Sequence, residues 1–72
     1  MHYTHLIEAI KNRREMLQVT QEALAQLSGV GLRTLKQFES GKGNPTVQTL
    51  TKLANALGLE LTFQVKQTDS GK

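Results

Sequence analysis

Cysteine is absent from the sequence, which excludes disulfides, thiolate zinc sites and thiol nucleophiles together. That composition suits a reducing cytoplasm. No apolar run approaches the roughly 18–20 residues needed to span a bilayer, so no membrane partner is expected. The start, Met1-His2-Tyr3-Thr4-His5, lacks the charged opening and apolar stretch of a signal peptide, and a soluble cytoplasmic protein is expected. There is no Ser/His/Asp constellation and no glycine-rich phosphate loop, so neither catalysis nor a cofactor is expected. His2 and His5 have only Glu8 nearby, which gives no metal site. Internal repeats, low-complexity blocks and linkers are missing as well.

Acids are scarce rather than absent. Nine Lys and Arg face six Asp and Glu, for a net charge of +3, and this suits a polyanionic partner. Such an excess is common in small domains, so its meaning depends on placement. The 72 residues are enough for one domain with a modest core, and help from a second subunit is a reasonable expectation.

Apolar spacing predicts four helices and one strand. Thr4 is a candidate N-cap for a first helix running to about Leu17, with Leu6, Ile7, Ile10 and Leu17 on one stripe and Arg14 unexpectedly among them. A second helix opens after Thr20, turns Leu24, Ala25 and Leu27 inward, and is broken at Gly29. A third spans about residues 31–39. Its inner face carries Gly31, Thr34, Leu35 and Phe38; its outer face carries Arg33, Lys36, Gln37 and Ser40, with Leu32 on the boundary. Pro45, the sole proline, lies in the turn cluster 40–45, after which Thr46 caps a fourth helix. That helix presents Val47, Leu50, Leu53, Ala54 and Leu57 at helical spacing and ends at Gly58.

From Leu59 to Lys66 the chain alternates apolar and polar over eight residues, the pattern of a half-buried strand. No second strand of that quality exists in the chain, yet a strand needs a neighbour for its backbone hydrogen bonds. Leu59, Leu61, Phe63 and Val65 are therefore expected to form a dimer strand that pairs with the same segment of a second subunit. Folding back on its own monomer, or strand addition to a partner protein, are the alternatives.

Ala25, Gly29, Val30, Leu35 and Phe38 stand at the spacing of a helix-turn-helix, and residues 21–40 resemble that motif in the phage-repressor (Xre, Cro and C1-type) family. Ala25 is small where two helices cross closely, Gly29 makes the turn, and Val30, Leu35 and Phe38 seat the second helix. Residues 29–42 and 53–61 are similar to HipB-type regulators, antitoxin repressors encoded beside HipA-like kinases. Ala23 stands where relatives close a capping box with Glu, and Gly31 where they often have Ser or Thr, which weakens capping by about 1 kcal/mol.

The resemblance implies an all-α, phage-repressor-like bundle of four to five helices with a C-terminal β-strand pairing across a homodimer. Residues 1–58 would bind DNA, 59–66 dimerise and 67–72 form a flexible tail. Leu32, Arg33, Lys36 and Gln37 would meet base edges in the major groove, where Arg suits guanine and Gln suits adenine. Lys36 is equally placed for a phosphate. Thr20, Gln21, Ser40, Lys42 and Asn44 would contact phosphates. Arg14 would form an internal ion pair with Glu39. The implied protein is a nucleoid-associated repressor of an inverted-repeat operator, an antitoxin partnered by a HipA-like kinase toxin. A phage or restriction-modification control repressor, or an interaction module that no longer reads DNA, are the other readings. Taken alone, an outward Arg-Lys-Gln-Ser face is an ordinary solvated surface, and only the motif around it points to DNA.

Overall fold

The computed structural model describes residues 4–62 and Val65. They form four helices: α1 (Thr4–Met16), α2 (Gln21–Ser28), α3 (Leu32–Glu39) and α4 (Val47–Ala56). Helix α2 packs on both α3 and α4, and α1 packs on α3. Leu24, Leu35 and Leu53 meet at the centre with no exposed surface. Burying each contributes about 1.5–3 kcal/mol. Ile10, Val30, Phe38, Leu50, Ala54 and Leu57 complete the core.

The helix starts follow their caps. Thr20 and Thr46 accept from the backbone N–H groups of Ala23 and Thr49, each at 3.0 Å. Gly31 has no side chain with which to cap α3, and none does. Thr4, expected as a cap, is instead the first residue of α1.

The helix ends share one device, a residue in the left-handed conformation that returns orphan carbonyls to the chain: Gln18 after α1, Gly29 after α2, Gly41 after α3 and Gly58 after α4. At Gly58 (φ 72°), Leu59 N–H reaches back to Ala54 O at 2.8 Å and Gly58 N–H to Asn55 O at 3.2 Å. At Gln18 (φ 59°) the same pair of bonds joins Val19 to Arg14 and Gln18 to Glu15, both at 3.0 Å. Only there does a side chain bear the steric cost of that conformation.

Five positions expected to face inward do not. Leu27 is 68 % exposed, because the inward arc of α2 is centred between Leu24 and Ser28 and takes in Gln21. At about 100° per residue, Leu27 falls outside that arc. Its polar members have partners inside: Ser28 Oγ accepts from Val30 N–H at 3.2 Å. In α3 the inward arc is turned toward Leu32 and Glu39, which leaves Thr34 exposed. Gly31, expected on the inner face, is exposed as the residue before the helix. Val47 is in phase with the α4 stripe but lies at its first turn, beyond the core, and Leu17 leaves the α1 stripe as the chain turns at Gln18.

Among the described residues there is no strand. Leu59 and Leu61 lie half-buried against Ile10, Leu50 and Ala54, with Glu60 and Thr62 outward, so the alternation is kept. Val65 is exposed, and Phe63 lies outside the described residues.

Candidate nucleic-acid interface

Arg33, Lys36 and Gln37 stand on the open side of α3, all exposed, and Leu32 is half-buried at its edge. What places them there is the opposite face: Leu35 and Phe38 anchor the helix in the core at 0 % and 2 % exposure. Between Glu22 and Glu60 the sequence holds four cations, Arg33, Lys36, Lys42 and Lys52, and every one is exposed. The single acid in that stretch, Glu39, is buried. All the exposed formal charge carried by α3 and its following loop is thus positive. At their junction stands an exposed acid of α1, Glu8, which lines a hollow with Ser40 and Gly41 beside Lys11.

Glu39 is neutralised from within. Arg14 Nε donates to Glu39 Oε2 at 2.7 Å and Nη2 to Oε1 at 2.9 Å, a two-pronged pair, while Nη1 donates to Val19 O at 2.8 Å. The side chains are 12 % and 4 % exposed. The hydrogen bond to Glu39 is the main cause that raises the Arg14 pKa above the usual arginine range, against a smaller opposing effect of burial. This pair explains how Arg14 can lie on an apolar stripe.

The residues expected on phosphates separate into two groups. Lys42 and Asn44 are exposed in the loop after α3, beside a shallow hollow of about 200 Å³ that Thr34, Gln37, Thr46 and Thr49 help to line. Thr20, Gln21 and Ser40 already have partners. Thr20 Oγ1 accepts from Ala23 N–H, and Ser40 Oγ donates to Gln37 O at 2.9 Å. Gln21 Nε2 donates to Glu39 Oε1 at 3.1 Å. A donor role for Ser40 toward DNA requires its hydroxyl to turn.

Sequence reasoning missed two residues near these elements. Thr34, assigned to the core, is exposed beside Gln37; a helical phase set by Glu39 as well as Leu35 would have found it. Arg13 Nε donates to Leu57 O at 3.0 Å, across 44 residues of sequence, and no local pattern signals that.

A short helix, a left-handed glycine turn and a second helix bearing an open basic face define a helix-turn-helix unit within an all-helical bundle. Residues 10–64 match the helix-turn-helix family model, and the chain belongs to that family, of Xre/Cro/C1 type. It is similar to the cryptic phage CTXphi transcriptional repressor RstR of Vibrio cholerae, 37 % identical over 75 % of this chain and 48 % of that protein. The SPbeta prophage-derived HTH-type transcriptional regulator YonR of Bacillus subtilis is 34 % identical over 85 % of this chain and 56 % of its own. Multiprotein-bridging factor 1a of Arabidopsis thaliana is 40 % identical over 81 % of this chain and 41 % of its own. The chain spans about half the length of these curated relatives. Among the described residues, no helix is long and apolar enough to cross a membrane, and no cluster of His, Cys, Asp or Glu could hold a metal.

Proposed function

We propose that the chain is the DNA-binding domain of a sequence-specific transcriptional repressor. The observation that carries this reading is the sorting of charge: exposed cations on α3 and its loop, with the one acid there buried and paired. In this reading Arg33 and Gln37 read base edges, Leu32 and Lys36 flank them, and Thr20, Gln21, Ser40, Lys42 and Asn44 hold phosphates. The names of two relatives, a phage repressor and a prophage regulator, support the repressor assignment.

Two finer versions differ only in partner. Residues 29–42 and 53–61 support a HipB-like antitoxin that represses its own operon and binds a HipA-like kinase. The phage-derived relatives support a control repressor with no toxin. Co-purification with the product of the adjacent reading frame separates them. The plant relative, whose name speaks of bridging between proteins, supports an interaction module as a third reading.

Selection from a pool of randomised duplexes tests the assignment. A repressor enriches one motif arranged as an inverted repeat. A pool that stays random after several rounds would overturn sequence-specific binding and leave the interaction module.

A further inference from the structure

Gln21 is the first residue of α2 and Glu39 the last of α3, and one hydrogen bond joins them. The carboxylate of Glu39 takes three side-chain donors, two from Arg14 and one from Gln21. A glutamine amide nitrogen carries two hydrogens. One lies on Glu39 Oε1, and the second has no acceptor among the described residues. Because the amide is planar, holding one hydrogen on a buried oxygen also fixes the direction of the other. Gln21 itself is only half-buried and keeps part of its surface open to solvent at the start of α2.

We infer that Glu39 is a positioning residue for phosphate binding: it holds the Gln21 amide so that one hydrogen stays on the protein while the other meets the DNA backbone. The inference rests on the DNA-binding reading above. Its chemistry is consistent on three counts. A carboxylate near a phosphate would ordinarily repel it, but Arg14 balances the charge of Glu39. The start of a helix carries free backbone N–H groups and a partial positive charge, which favour an anion. At α2 the Thr20 side chain uses only the Ala23 N–H, leaving the first two for a ligand. A glutamine already held in one rotamer also has no further freedom to lose when the phosphate arrives. The ion pair beneath the reading helix and the phosphate contact beside it thus become one connected unit.

The test uses the full chain labelled with ¹⁵N and a generic duplex of about 20 base pairs, two helical turns. In the free protein, one Gln21 amide hydrogen should exchange with water more slowly than those of the exposed Gln26, Gln37 and Gln48. On adding DNA, the other Gln21 hydrogen should shift along with the backbone amides of residues 32–37. Gln21 hydrogens that exchange alike, or that stay unmoved while residues 32–37 shift, would overturn the positioning role and leave DNA binding intact. No shift anywhere would overturn both.

A double-mutant cycle gives the functional measure. Gln21→Ala and Glu39→Gln should each weaken binding roughly two- to tenfold, the worth of one hydrogen bond. The double variant should lose little beyond the larger single loss; losses that multiply would refute the coupling. Circular dichroism at the binding temperature checks that each variant is folded. Should Glu39→Gln unfold, the amide measurements on the wild-type chain decide the matter alone.

Discussion

Glu39→Gln would leave the Arg14 guanidinium, 12 % exposed, facing an amide where a carboxylate had been. Removing one partner of a pair this enclosed costs about 3–5 kcal/mol. In a domain of this size each kcal/mol moves the melting temperature by about 4–8 °C, so a thermal melt should fall by more than about 10 °C. A variant that melted with the wild type would show that the pair contributes nothing. The pH behaviour of Arg14 follows from the direction of its shift. A group whose folded pKa is raised contributes stability that is complete below its unfolded pKa and lost only as pH rises through the folded one. For an arginine that window lies above the physiological range, so Arg14 supplies no pH switch near neutrality. Gln18 offers the opposite kind of change. Its φ of 59° crowds Cβ, and Gln18→Gly should stabilise the fold by up to about 1 kcal/mol, read as a rise in melting temperature. A fall would mean that the entropy of the unfolded glycine chain outweighs the relieved strain.

At the scale of elements, every helix is written in apolar spacing, and so are the inward faces of α1 and α4. The centres of the inward faces of α2 and α3 are not. Leu24, Leu35, Leu50 and Leu53 were legible because a buried leucine at helical spacing has few other readings. Leu27 and Thr34 misled, because the true faces of α2 and α3 include Gln21, Ser28 and Glu39, whose burial depends on partners far away in sequence. The open face of α3 was legible for a related reason: Arg33, Lys36 and Gln37 follow from where Leu35 and Phe38 must point. The inward ties of Gln21 and Ser40 were not, since hydrogen-bond direction leaves no mark on composition. The proposed interface divides by element accordingly. Arg33→Ala, on α3, should relax preference at one base position and cost about 1–3 kcal/mol there. Lys42→Ala, in the loop, should weaken all sequences alike and reduce the slope of log affinity against log salt by about 1. Binding isotherms on matched and scrambled duplexes over a salt series separate the two. Unchanged isotherms for both variants would place the interface elsewhere.

At the scale of the whole molecule, no strand neighbours the alternating segment among the described residues, and the proposed remedy is a second copy. Leu59 and Leu61 already lean on Ile10, Leu50 and Ala54, so this part of the segment is oriented by the monomer. Two such segments paired about a two-fold axis would set the separation of the two α3 helices, which DNA requires to be about 34–36 Å or a multiple of that. Phe63→Asp should therefore yield monomers in sedimentation and weaken operator binding while Arg33 and Gln37 remain intact. A wild-type chain that sediments as a monomer at micromolar concentration would refute the pairing. The bond from Arg13 to the carbonyl of Leu57 has an effect at this scale too. It ties the end of the first helix to the end of the last, at the place where the chain turns off toward Leu59. Opening the C-terminal end of either helix then disturbs the same end of the other. The backbone amides of α1 and α4, remote in sequence, should open to solvent deuterium as a single cooperative unit.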